Sequence, residues 1–553
     1  MMKRLITILA FLILSVCSYA HVGSPGVTFE GNAGPYKMLV NITPPDVIPG
    51  TASVSIYLEN ATQGVQINAK PVYWFTGLDG TPRADLATPS STEPGRFDLN
   101  IWLMSSGASS IDITIDGPLG KGTVVIPVMA LSTAKRSMPA GLGWGLFMMA
   151  VFLVVLMVTI IMSSVSDSQL NPSEKLSPEL RRKRTIGGFV TFAILVLILW
   201  AGKSWWNAAA DDYNRYLYQP LQATTKVNAQ TGLLTLVIDS MALKRLEQRN
   251  GRNISRKMNY LVPDHGKLMH MFLIRAGSLD AFAHLHPRRI DSVTFTAVAP
   301  KLPSGTYWVY ADITRLSGFS ETIVDTLEIP QATISMANNP VIALAPDKDD
   351  TFFTTNPIAG KSTIGNLVPT VMCGLPGLAS KLSDGSTAIW IQTPGLKLKA
   401  GELTTLKFEI LDANEKPAKL EPYLGMPAHA VILKDDGSVY IHLHPTGSFS
   451  MGSQKALLDR IAFRQSLEKY LPPPIVFADS VNRLVASLEA MDENERNVIL
   501  MAGMKHDSIE SGTHHMEEIS FPYTFPQPGN YRIWIQIKRN SKILNCAFDA
   551  VVK

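Results

Sequence analysis

The chain has 553 residues, 50 Lys and Arg against 46 Asp and Glu, a formal charge of +4, eleven His and three Cys. That length exceeds what one core supports, so two to four domains of ordinary globular composition are expected. The charge falls to +2 when Lys3 and Arg4 leave with the leader read below, which excludes a basic surface for nucleic acid.

Residues 1–20, MMKRLITILAFLILSVCSYA, have a charged start, an apolar run and a small-x-small ending at Ser18 and Ala20. They read as a signal peptide cleaved before His21. Cys17 follows Val16, which is bulky where a lipoprotein signal needs a small residue, so ordinary cleavage is preferred. Cys373 and Cys546 then remain, and the sequence leaves open whether they pair or stay as buried thiols.

Residues 21–130 read as all-β. Runs such as KMLVNIT, ASVSIYLE, FDLNIWLM and IDITIDG alternate between Pro, Gly and Asn turns, and a sandwich of about seven strands fits. The stretch NAGPYKMLVNITPPDVIPGTASVSIYLE, followed by GRFDLNIWLMSSGASSIDITIDGPLGKG, resembles the FixH-like or YtkA-like domains of bacterial membrane proteins. That resemblance implies the fold and no activity.

From Arg136 to Asp167 no charge interrupts the chain, so 140–164 is read as a transmembrane helix. A second span is placed at 185–202, with Trp200, Trp205 and Trp206 as an aromatic belt at its far end. The loop between them, 165–184, carries RRKR (181–184), which marks it cytoplasmic. Both flanking regions are then extracytoplasmic, in the periplasm if the membrane is the inner membrane of a bacterium, and the lipid bilayer is the first expected partner.

An internal repeat follows. LVPDHGKLMH (261–270) aligns with LEPYLGMPAH (420–429), AFAHLHP (281–287) with VYIHLHP (439–445), and PSGTYWVYADI (303–313) with QPGNYRIWIQI (527–537). Two β-sandwich units are expected, at 224–330 and 383–553, joined by a connection at 331–382. The second unit carries an insertion, 452–515, whose QKALLDRIAFRQSLEKYL and DSVNRLVASLEAMDENERNVIL show helical periodicity. The fold class is therefore mainly β: three Ig-like or cupredoxin-like sandwiches, two transmembrane helices and a helical insertion.

The histidines concentrate in the repeats. Asp436-Gly437 between alternating apolar runs predicts a hairpin, 428–434 with 438–444, in which His444 lies opposite His429. Strand alternation then puts His429, His442 and His444 on one face, and His270, His284 and His286 likewise in the first unit. Three imidazoles on one face suit Zn²⁺ or Cu²⁺. Thioether neighbours tilt the choice to copper: Met269, Met271, Met426, and Met501, Met504 and Met516 around His506, His514 and His515. The bland alternative is core methionines and hydrogen-bonded structural histidines. His265 stands where the second unit has Leu424, so unequal ligand sets are expected. His21, at the mature N-terminus, offers amine and imidazole together to Cu²⁺, although residues 22–264 hold no second histidine.

The repeat pattern, LEPYLGMPAHAVILKDDG with HLHP and PGNYRIWIQ, resembles secreted or membrane-anchored YtkA-like domains found beside copper-handling and respiratory-oxidase proteins. The resemblance implies a copper or heavy-metal module, with a metal-receiving or respiratory membrane protein as partner. No P-loop, GxGxxG, GxSxG, HExxH or CxxC motif is present. The expected function is extracytoplasmic metal binding, delivery or sensing without catalysis, with binding that weakens as pH falls through the imidazole range. The alternatives are a structural protein that docks a membrane complex and, third, a copper redox enzyme using His21.

Overall fold

The computed structural model describes residues 21–22, 26–59, 63–134, 138–168, 170, 174–249, 257–330, 345–358, 379–391, 397–464, 466–502 and 518–553. Among the described residues the fold is mainly β, built from largely antiparallel sheets with no barrel. The chain divides into two compact units: Ser132–Tyr218, and Met1–Leu131 together with Gln219–Lys553.

The smaller unit holds two helices, α1 (Ala140–Asp167) and α2 (Pro178–Tyr216), each long and apolar enough to cross a membrane. Ser177 caps α2 by accepting from the Leu180 amide, and Pro178 occupies the first turn, where it costs no hydrogen bond. The helix therefore starts seven residues before the apolar run, and RRKR lies inside it rather than in the expected loop. Lys and Arg are good helix formers, so charge does not end the helix as hydropathy suggests.

In the larger unit, three pairs of sheets each enclose an apolar cluster. In the first, Tyr36–Thr43 alternates strictly, with Tyr36, Met38, Val40 and Ile42 buried against Ile111, Ile113 and Val124 of the opposite sheet. The two repeat segments form the other pairs. In the first repeat, β1 (His270–Arg275), β2 (Ala281–Leu285) and β3 (Gly305–Arg315) share one sheet, which β4 (Thr351–Thr354) of the connection extends beside β2. In the second, β5 (Ala428–Lys434), β6 (Val439–Leu443), β7 (Gly529–Arg539) and β8 (Lys542–Val552) share the corresponding one.

These two inner sheets are buried on both faces. Met271, Leu273 and Ala283 face the core of their own repeat. Phe272, Ile274, Phe282 and Tyr310 instead pack on Val431, Leu433, Tyr440 and Trp534 of the other repeat. Tyr310 stacks on Tyr440 with ring centroids 4.1 Å apart, and Trp534 on Phe282 at 5.2 Å. The repeat alignment exchanges these two pairs, so the repeats face each other about an approximate two-fold axis. The aligned turns agree as well: His265 (φ 51°) and Gly266 (φ 81°) match Leu424 (φ 52°) and Gly425 (φ 76°).

The inserted helices α3 (Met451–Ala462), α4 (Pro474–Ala490) and α5 (Glu493–Ala502) leave the second repeat and pack elsewhere. From α3, Ser453 Oγ donates to the Gly318 carbonyl, Gln454 to Val125 and Arg460 to Trp74. From α4, Val481 enters the core of the first repeat. Beyond α5, residues 503–517 lie outside the described residues, and with them Met504, Met516, His506, His514 and His515.

Candidate metal centre

The β5–β6 register sets Ala430 opposite Leu443 and Val431 opposite His442, so His429 and His444 come opposite at the next step. In the first repeat Met271 lies opposite Leu285 and Phe272 opposite His284, which does the same for His270 and His286. On both hairpins the histidines fall on the face carrying Phe272 or Val431, which is the seam between the repeats. Face-to-face packing therefore joins two sets of three imidazoles, and the turn at 264–267 adds His265 from the first repeat to the set of the second.

All seven rings are buried; His284 and His429 have no exposed surface. The ring nitrogens of His265, His429 and His444 approach within 4.8 Å of one another, as do those of His270, His284 and His286. His442 lies between the sets, its ring centroid 4.7 Å from His444 and 5.3 Å from His270.

Oxygen acceptors around the cluster assign the protons. His270 Nε2–H donates to the Asp264 carbonyl at 3.1 Å, leaving Nδ1 a bare lone pair. His284 Nδ1–H donates to Gln536 Oε1 at 2.9 Å; the Gln536 amide is in turn held by Asn545, which fixes its orientation. Tyr423 donates its own proton to the Asp349 carbonyl, so its oxygen also accepts from His284 Nδ1. That leaves His284 Nε2 bare, and it faces His270 Nδ1 at 3.1 Å. Two lone pairs at hydrogen-bond distance repel unless a cation joins them. Two nitrogens on a tetrahedral ion, each about 2.0–2.1 Å from it, lie about 3.3 Å apart.

The remaining rings follow the same scheme. His286 Nδ1 donates to Asp350 Oδ1 at 3.0 Å, leaving Nε2 buried with no hydrogen-bond partner among the described residues. This carboxylate–imidazole arrangement orients metal-bound histidines. His444 Nδ1 donates to the Phe449 carbonyl at 3.1 Å, and its Nε2 lies 3.2 Å from His265 Nε2. Among the described residues, both nitrogens of His429, and Nε2 of His442, are buried and unpartnered. His442 Nδ1 is 3.5 Å from Asp312 Oδ2. The alignment exchanges Asp312 with Gln536 and His442 with His284, so one supporting contact occurs twice.

Burial pushes the ring pKa values down, well below the ordinary range for His270, His284, His429 and His442 and to about 4 for His444. His265 moves the same way for the same first cause, desolvation. Burial also raises Asp312 to about 7, against hydrogen bonds from Thr322 and Tyr440. The rings of His265, His270, His284, His429, His442 and His444 are therefore neutral near pH 7, the state in which imidazole binds metal.

The thioethers are placed differently from expectation. Met269 and Met271 lie in the core of the first repeat, because alternation turns them away from His270. Met426 is buried in the turn that mirrors the His265 turn, its amide and carbonyl bonded to Tyr423. The strand His21–Val22 joins the outer edge of β6, parallel, with His21 opposite Val439. That register is three residues from His442, about 10 Å along the strand. Cys546 is buried in the core of the second repeat, and Cys373 lies outside the described residues.

Comparison with known proteins adds little. Residues 383–469 match the family model of a domain of unknown function (DUF8832). No curated protein matches the chain. Among solved structures, the FN1–FN3 domains of chicken CNTN1 are 6% identical, with 96% of this chain and all of that one covered, at a TM-score of 0.14. A chimeric titin Z1Z2 carrying an exogenous decorin peptide is 8% identical over 61% of this chain and 94% of its own, at 0.12. Invasin, a bacterial integrin-binding protein, is 9% identical over 93% and 60%, at 0.13. At such scores the likeness does not extend to the overall arrangement.

The supporting residues were not singled out from sequence. Asp312 and Gln536 stand at equal positions of the third aligned segment, a signal that was available. Asp350 lies in the connection between repeats, and nothing in its surroundings marks it.

Proposed function

We propose that this chain is a membrane-anchored, extracytoplasmic metal-binding protein of three β-sandwich domains, whose two repeats hold metal in their seam. One observation carries the reading: His270 Nδ1 and His284 Nε2 face each other at 3.1 Å with both lone pairs bare. The unpartnered nitrogens of His286, His429 and His442 support it, since leaving buried polar atoms unpaired costs about 1–3 kcal/mol each.

The described ligands are all imidazole nitrogen, so soft sulfur no longer argues for Cu(I). Cu²⁺ is favoured because it binds nitrogen ligands most tightly of the first-row divalent ions, and Zn²⁺ is the alternative. Deep burial suits a retained ion better than rapid exchange, which narrows the role to a resident centre or a slow store; the location is the periplasmic side of a bacterial membrane. Because burial lowers the pKa of His265, His270, His284, His429 and His442, and that of His444 to about 4, protons compete for these ligands only below the free imidazole range, and occupancy persists to lower pH than free imidazoles would allow.

The competing reading is a protein that docks a membrane complex, its histidines serving as internal hydrogen-bonding groups. Metal analysis of the full-length protein, purified in detergent without a polyhistidine tag, separates the two. Copper or zinc that copurifies with wild type and falls in His442→Ala/His444→Ala is the expected result. Metal-free wild type that also refuses Cu²⁺ in a titration would leave docking as the better reading.

A further inference from the structure

We infer that the seam takes two metal ions side by side, one on His265, His429 and His444 and the other on His270, His284 and His286. This rests on the metal-binding reading above and adds the number of ions and the ligands of each. The two sets share no residue, and each brings three ligand nitrogens within 4.8 Å of one another. The first draws on both repeats. The second lies wholly within the first repeat.

Ring spacing argues against a single shared ion. An imidazole nitrogen about 2.0–2.1 Å from an ion places its ring centroid about 3.2 Å away, so two rings on one tetrahedral ion have centroids about 5 Å apart. In the first set the separations are 5.3, 4.7 and 5.2 Å. In the second they are 5.3, 5.1 and 4.5 Å. Between the sets, His265 and His270 are 6.2 Å apart and His284 and His429 6.5 Å. Those distances approach or exceed the limit of about 6.4 Å for rings on opposite sides of one ion.

Each set also carries its own electrostatic demand for a cation. The second has the facing lone pairs of His270 and His284. The first has His429, fully buried with neither nitrogen paired among the described residues. His442 stands between them with a bare Nε2, placed to complete either set. A third grouping, His286 with Asp347 and Asp350, is already neutralised: Lys267 Nζ bonds both Asp347 oxygens at 2.6 Å, and Asp350 accepts from His286.

The test counts ions and records their spin coupling in the full-length detergent-solubilised protein after loading with Cu²⁺ and removal of loosely bound copper. Wild type is compared with His429→Asn/His444→Asn and His284→Asn/His286→Asn. Two coppers per chain in wild type and one in each variant are expected. The wild-type electron paramagnetic resonance spectrum should show dipolar broadening and a half-field transition, because neighbouring Cu²⁺ ions couple through space, whereas each variant should give the sharp spectrum of an isolated copper. One copper in wild type, abolished by either double substitution, would overturn the paired centre and leave the metal-binding reading standing. Two coppers with the spectrum of isolated ions, without broadening or a half-field line, would overturn their adjacency. No copper at all would remove both. Wild-type stoichiometry and the coupled line shape decide the question even if a variant fails to fold.

Discussion

At the scale of single residues, the buried neutral imidazoles set how the protein answers acid. An unfolded histidine takes up its proton near pH 6.5, whereas folded His444 does so only at about 4. Between those values the unfolded chain binds more protons, so the metal-free fold is fully stable above pH 6.5 and loses stability as pH falls towards 4. His444 alone accounts for about 3 kcal/mol of that loss. Thermal unfolding of the chelator-treated protein should therefore move to clearly lower temperature from pH 7.5 to 4.5, and an unchanged midpoint would refute neutral buried rings. Asp350 gives a second residue-scale expectation. Asp350→Asn keeps the shape but weakens the acceptor that orients His286, and metal affinity should fall about 10–100-fold in a competition titration.

At the scale of elements, close backbone approaches join the pieces. Gly447 has φ 143°, and a Cβ there would come within 2.1 Å of the Thr28 carbonyl oxygen, just where Ser448 donates to that oxygen and Glu30 to Thr446. Gly447→Ala should thus separate the N-terminal sheet pair from the β6 exit, seen as faster proteolysis after Thr28 with the repeat seam intact. The inserted helix α3 makes a parallel link. Arg460, buried, donates to the Trp74 carbonyl, and Arg460→Ala should cost about 1–3 kcal/mol in denaturant unfolding by leaving that oxygen unpaired. The helices were legible from three-and-four periodicity, but not their destination. Periodicity reports that one face is apolar; it does not say which surface covers it.

At the scale of the whole molecule, the seam between repeats is where stability and binding meet. Tyr310 stacks on Tyr440 with their planes only 1° apart, and Tyr310→Ala should cost about 3–5 kcal/mol while also lowering metal retention, since the same packing holds the histidines together. A loss of stability with unchanged metal content would show that each repeat binds alone. From the sequence by itself came the mainly β character, the apolar helices, the repeat and the parity that aligns three histidines on a hairpin face. Each of these depends on interactions between residues close in the chain, and such interactions leave a period or a turn signature in the sequence. Tertiary structure alone decided that the two histidine faces meet, that His265 joins the other repeat's set, and that Asp350 and Gln536 orient the rings. His284 and Gln536 are 252 positions apart. Contacts across such separations follow from which apolar faces cover one another, and no local pattern encodes that choice.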